Sequence, residues 1–233
     1  MNLNPIQLFD AESSTYTYIL SAPGDNEAVI IDPVERHWER DLRHLERLNL
    51  KLAYILETHA HADHVTSAGK LREMTGAKAA VPAGCGIPPA DLQLSDGDTI
   101  RFGAGEEITV LHTPGHTAGS MSYVWRGNVF TGDTLLIDGC GRTDFQSGSS
   151  DALYDSVNGK LFTLPGDTQV WPGHDYKGQS VSTIAWEKEH NARLAHRSKE
   201  DFAKLMSELD LPKPKLIDIA VPANQNLGLP HGA

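Results

Sequence analysis

The spacing of apolar positions changes several times along the chain, and each change predicts an element. Residues 14–21 carry Tyr, Ile and Thr at strand density, and Pro23-Gly24-Asp25-Asn26 then predicts a turn. Residues 28–31 form an apolar run that stops at Asp32-Pro33. The spacing then widens: Trp38, Leu42, Leu45 and Leu48 fall three or four apart, the stripe of an amphipathic helix over residues 36–48. Residues 52–56 return to a short apolar run. Residues 65–74 read as a helix closed by Gly76, a residue suited to the left-handed conformation at helix ends.

The later chain repeats this logic. Strands are predicted at residues 100–102, 108–111, 121–125, 128–130 and 169–171, with a helix over 151–161. Residues 181–195 and 199–209 read as helices, and residues 217–221 as a short extended end. Strands and helices mixed in this order suit an α/β fold of two packed sheets with helices on their outer faces. There is no internal repeat, low-complexity segment or linker, so residues 1–233 are expected to form one domain ending in a short helical and extended tail.

Composition narrows the partners. A net charge of −11 disfavours nucleic acid and anionic membrane surfaces, because the basic residues are scattered apart from a loose pair at Lys213 and Lys215. Two cysteines, Cys85 and Cys140, make no disulfide framework and suit a reducing compartment. Residues 1–10 lack the basic and apolar regions of a signal peptide, and no apolar run approaches ~18 residues. The expectation is a cytoplasmic protein.

The candidate chemistry lies where the strands stop. Thr58-His59-Ala60-His61-Ala62-Asp63-His64 directly follows the run 52–56. His116 follows 108–111, Asp133 follows 128–130, and His174 follows 169–171. Four strands thus each end in a loop bearing an imidazole or a carboxylate, and α/β folds place ligand sites at the carboxyl ends of strands. Imidazole and carboxylate are the usual protein ligands of zinc and non-haem iron, and the alternating loop lets one turn present several of them. His37, His44, His190, His196 and His231 read as surface residues, and His112 as structural or ligand-orienting. Asp32 either orients a ligating histidine or is a plain turn residue.

The loop 58–64, taken with Gly115-His116, Gly132-Asp133 and Gly173-His174, resembles the metallo-β-lactamase superfamily. The resemblance implies an αββα sandwich, two mixed sheets flanked by helices, with metal at the mouth between the sheets. Gly139-Cys140-Gly141-Arg142-Thr143-Asp144-Phe145-Gln146 is further similar to the persulfide dioxygenase (sulfur dioxygenase) family. So are Trp171-Pro172-Gly173-His174-Asp175-Tyr176 and the tail segments Leu211-Pro212-Lys213-Pro214 and Ala220-Val221-Pro222-Ala223-Asn224.

That family implies one Fe(II) per chain held by His59, His116 and Asp133, with glutathione persulfide and O2 as substrates and sulfite and glutathione as products. It also implies that His61, Asp63, His64 and His174 stand behind the ligands and orient them, and it leaves room for a homodimer. Arg142 is the candidate cation for an anionic substrate, or else pins its own loop to Asp144. Tyr176 either aims a hydroxyl at the pocket or packs as an aromatic. Counting ligands alone favours two metals, because the full set of a binuclear glyoxalase II-like hydroxyacylglutathione hydrolase is present. Only about sixty residues follow His174, short of the helical domain that family carries. A non-catalytic metal- or persulfide-sensing module is the third reading.

Overall fold

In the computed structural model, which describes residues 4–230, strand alternation sorts side chains into three apolar layers. Along β3 (Glu27–Ile31), Val29 and Ile31 point into the space between two sheets, while Ala28 and Ile30 point outward under helices. The first sheet has the order β1 (Ile6–Asp10), β2 (Thr15–Leu20), β3, β4 (Lys51–Leu56), β5 (Lys78–Pro82) and β6 (Leu92–Leu94). The β1–β2 and β2–β3 pairs are antiparallel, and the pairs from β3 to β6 are parallel.

The second sheet contains β7 (Thr99–Phe102), β8 (Glu106–His112), β9 (Met121–Trp125), β10 (Asn128–Gly132), β11 (Gln169–Pro172) and β12 (Ser182–Thr183) in sequential order. Only β10 and β11 pair in parallel within it. Tyr18, Leu56, Val110, Tyr123, Trp125 and Phe130 meet between the sheets. Outside the first sheet lie α1 (Trp38–Arg47) and α2 (Ala68–Thr75), whose Leu45 and Leu71 share an apolar layer with Ile55 of β4. Outside the second lie α3 (Ser150–Gly159), α4 (Ile184–His190) and α5 (Lys199–Ser207), with Leu153 of α3 and Phe202 of α5 in one apolar layer with Val129 of β10. This is the αββα sandwich with two mixed sheets.

Three local expectations differ from the structure. Residues 217–221 are not extended but begin α6 (Ile217–Asn224). The β-branched Ile217, Ile219 and Val221 suggest strand, but the residues that become buried are Ala220, Asn224 and Leu227, which have helical spacing. The helix expected at 65–74 starts only at Ala68, because Val65 and Thr66 are bonded to the segment after β3: Val65 O accepts from Glu35 N–H at 2.8 Å and Thr66 Oγ1 donates to Pro33 O at 3.1 Å. The single helix expected over 181–195 is β12 followed by α4, with Thr183 capping α4 through the N–H of Trp186.

Candidate metal centre

Strand direction brings the four loops together. β8, β10 and β11 run the same way in the second sheet, so the loops carrying His116, Asp133 and His174 leave one edge. β4 ends at the facing edge of the first sheet, and the sheets are stitched there: Met121 N–H donates to Thr58 O at 2.8 Å, and the Tyr123 hydroxyl to Glu57 O at 2.6 Å. Thr15, at the start of β2, forms an isolated bridge with His174. Gly132 adopts φ 49°, and a side chain there would meet Thr58 Oγ1 at 2.6 Å, so the close approach of the two loops requires glycine.

His59, His116 and Asp133 each offer one ligand atom, and these three atoms lie within 4.8 Å of one another. His116 donates Nδ1–H to the carbonyl of Arg142 at 2.7 Å, which fixes the tautomer and leaves Nε2 facing Asp133 Oδ2 at 3.6 Å. Asp133 Oδ1 accepts from His174 Nδ1 at 2.6 Å, so its other oxygen stays open. Asp63 Oδ2 is shared by His174 Nε2 and His64 Nδ1, both at 2.9 Å, and by Thr15 Oγ1 at 3.1 Å.

His61 turns elsewhere. Its Nε2 lies 3.1 Å from Asp32 Oδ1 and 3.2 Å from Glu57 Oε2, near enough for charge attraction but not aligned for hydrogen bonds. Asp32, in the left-handed region at φ 50°, accepts from the N–H and hydroxyl of Thr58, both at 2.7 Å. Asp32 thus braces the loop as well as facing His61.

The electrostatics divide the histidines. Burial pushes His59 well below the ordinary imidazole range, with His61 and His116 adding to it, so His59 stays in the neutral form that ligates. Burial pushes His174 down as well, but Asp133 and Asp63 outweigh it and hold the ring well above that range. Asp133, which burial alone would raise, is held far below the usual carboxylate range by His174, His116 and His59. Burial raises Glu57 to about 7 despite its contact with His61.

A metal fits this set. Two imidazole nitrogens and one carboxylate oxygen converge, and the buried His64 Nε2 and both ring nitrogens of His61 have no hydrogen-bond partner among the described residues. Two further groups of convergent ligand atoms are His61–Asp63–His64 and Asp32–Glu57–His61.

Beside these residues opens a cavity of about 570 Å³ with Asp63, His116, Asp133 and His174 in its walls. Tyr176 stands over it, 72% exposed, its ring stacked on that of His174 at 5.9 Å. Arg142 borders it too, but its guanidinium is engaged: two bonds of 2.7 Å go to Asp144, one of 2.6 Å to Pro212 O and one of 3.3 Å to Leu211 O. Lys177 and Arg193, which sequence reasoning passed over, line the same cavity. Lys177 lies three residues past His174 and was findable; Arg193, in the turn after α4, carried no signal. Glu57, a residue of the histidine loop's own approach, was also missed because a lone glutamate after a strand reads as surface.

His112 donates to or accepts from nothing in this cluster, its Nε2 instead facing Ala118 O at 3.0 Å. His37 sits 3.0 Å from Asp10, away from the metal residues, and His231 lies outside the described residues.

The metallo-beta-lactamase superfamily profile matches residues 10–174. A mitochondrial persulfide dioxygenase of Mus musculus is 47% identical over 225 residues, which are 96% of this chain and 88% of the mouse protein. The crystal structure of ETHE1 from Myxococcus xanthus superimposes with a TM-score of 0.95 at 50% identity, over 97% of this chain and all of that one. A hydroxyacylglutathione hydrolase of Gloeobacter violaceus is further off, 35% identical over 88% of this chain and 76% of its own. The convergence of His59, His116 and Asp133 and the near-complete overlap of chain and backbone agree: this chain belongs to the metallo-β-lactamase superfamily and, within it, to the persulfide dioxygenase family.

Proposed function

We propose that this enzyme oxidises glutathione persulfide with O2 and water to glutathione, sulfite and two protons, at one Fe(II) held by His59, His116 and Asp133. The observation that carries the reading is this triad, two of whose members, His116 and Asp133, stand in the wall of a cavity large enough for a tripeptide. Iron(II) held by these residues would supply one-electron chemistry toward dioxygen.

The protein's own groups do the rest. The Arg142 carbonyl and the His174 ring hold His116 and Asp133 with one lone pair of each directed to the cavity. Asp63 locks His64 and His174 into the supporting network, and Asp32 with Glu57 draws His61 away from the triad. Glutathione carries two carboxylates, and the cavity offers Lys177, Arg193 and the edge of Arg142 in a chain of otherwise negative charge. The Tyr176 ring covers the His174 side of the mouth, where it limits water and can guide the substrate thiol end. The two unpaired cysteines suit a cytoplasmic enzyme, and a homodimer is compatible with this reading.

The hydrolase reading keeps one specific support, the second convergent group His61–Asp63–His64. One experiment separates the two. Protein purified without oxygen is assayed for metal, then for oxygen uptake with glutathione persulfide and for hydrolysis of S-lactoylglutathione. One equivalent of iron with oxygen uptake is expected; two equivalents of metal with thiolester cleavage and no oxygen uptake would overturn the proposal.

A further inference from the structure

The tail segment Ala220-Val221-Pro222-Ala223-Asn224 lies on α6, far along the chain from every ligand, yet its last side chain reaches the histidine loop. Asn224 is 2% exposed, and each arm of its amide is used. Its Oδ1 accepts from Thr66 N–H at 2.8 Å, and its Nδ2 donates to the carbonyls of His61 and His64, each at 2.9 Å. Around it the chain is packed without slack. Gly69 N–H donates to Leu227 O at 2.8 Å, and a Cβ on Gly228, at φ 75°, would strike the Thr66 carbonyl.

The bonded carbonyls matter because of where they are. Between His61 and His64 the loop has only Ala62 and Asp63, and Ala62 has no side chain able to anchor the backbone. The direction of the His61, Asp63 and His64 side chains is therefore set by peptide planes, and the amide of Asn224 grips the planes at both ends. An amide is also suited to the task in a way a carboxylate is not, since the site needs one acceptor and two donors.

We propose that Asn224 is a positioning residue for the metal loop: carried in on α6, its amide fixes the backbone at His61, His64 and Thr66 and thereby sets the geometry of the ligand cluster. This rests on the reading of residues 59–64 as a metal loop. Loss of stability alone leaves the affinity of a still-folded protein for metal unchanged, so positioning is separable from folding.

The test titrates metal-free protein with Co(II), read by its visible absorption, for wild type, Asn224→Ala, Asn224→Asp and a Leu45→Ala control on the buried face of α1. Asn224→Asp keeps the acceptor but faces two carbonyls with a carboxylate. Both Asn224 variants are expected to bind Co(II) at least about tenfold more weakly, with an altered band shape. The control is expected to lower Tm with affinity within about twofold of wild type. Either Asn224 variant binding within about twofold, with the wild-type spectrum, would overturn the proposal. So would an affinity loss in the control equal to that of the Asn224 variants. Should Asn224→Ala and Asn224→Asp not fold, Gly228→Ala, which pushes the tail off Thr66 while keeping the amide, is held to the same criterion. Failure of the wild type to bind Co(II) would instead remove the metal reading itself.

Discussion

Replacing Arg142 with alanine separates two roles that an arginine at the mouth of a cavity can play. Its side chain is 15% exposed against 56% for Asp144, so the ion pair itself is worth about 0–1 kcal/mol. The bonds to the tail contribute more. The 2.6 Å bond to Pro212 O is a charge-assisted bond of about 1.5–3 kcal/mol, and the 3.3 Å bond to Leu211 O adds a fraction of that. Loss of all four contacts should therefore cost about 2–3 kcal/mol, roughly 5–10 °C in Tm for a chain of this size. Leu211 and Pro212 form part of the cavity wall, so their release should raise KM for the persulfide roughly tenfold, about 1.4 kcal/mol of binding. The bound metal and kcat should change little, because the carbonyl that holds His116 belongs to the backbone and survives the substitution. Arg142→Lys should not restore the wild type, since an ammonium cannot fork between Asp144 and two carbonyls. Thermal unfolding, metal analysis and steady-state kinetics on the same preparations check this. A raised KM with wild-type Tm would refute the bracing role and make Arg142 a direct substrate ligand; no change in either would mean it pins nothing.

Three further outcomes follow from the same geometry. Asp133→Ala deletes the carboxylate of the triad and strands His174 Nδ1, so metal and activity should disappear together; a variant that retains a full equivalent of metal would contradict the ligand assignment. Glu106 is held below its ordinary range by Arg126, and Asp91 by Arg72, so the unfolded chain binds more protons than the folded one in acid. Their stabilisation is present above the unfolded carboxylate range near pH 4 and is lost as pH falls through the folded values. Urea midpoints should accordingly drop below about pH 4, with a shallower slope in Arg126→Gln, and an identical slope would exclude Glu106 as a contributor. Burial pushes the thiols of Cys85 and Cys140 up to about 12 and about 11, so iodoacetamide at pH 8 should label neither until urea is added; rapid labelling of the native protein would show that one is open to solvent.

Much of this molecule was legible because strand ends are legible. Apolar runs at 52–56, 108–111, 128–130 and 169–171 are terminated by residues that no core would choose, and the structure does bring His59, His116 and Asp133 within ligand distance. Elements that lacked contrast were missed. β1, β5 and β6 are short, and Ala79 and Ala80 in β5 carry little strand propensity. The α6 helix was hidden by its β-branched residues and by Pro222, which ordinarily argues against a helix interior. Side-chain commitments were out of reach altogether. That the Arg142 fork closes on Leu211 and Pro212, or that Asn224 bonds to His61, depends on pairings across 69 or more positions, for which a single sequence holds no register.

The same limit bears on the ligand count. Seven residues of a binuclear set stand in the sequence, and in the structure they do not form two equivalent pockets. His61 is shared between two groups: with Asp63 and His64 on one side, and with Asp32 and Glu57 on the other. Two buried carboxylates, each 1–2% exposed, face its Nε2, and moving that ring to a cation would leave both acids facing one another without it. His174 is similarly committed, bonded through both ring nitrogens to Asp133 and Asp63. A cation at His61–Asp63–His64 would compete with Thr15, His64 and His174 for Asp63 Oδ2, whereas the triad keeps His116 Nε2 and Asp133 Oδ2 unengaged by any other side chain's hydrogen bond. Under the proposed one-metal reading, the neighbours that already hold each side chain matter as much as the number of ligands encoded, and Glu57, unremarkable in the sequence, stands beside His61 in that balance.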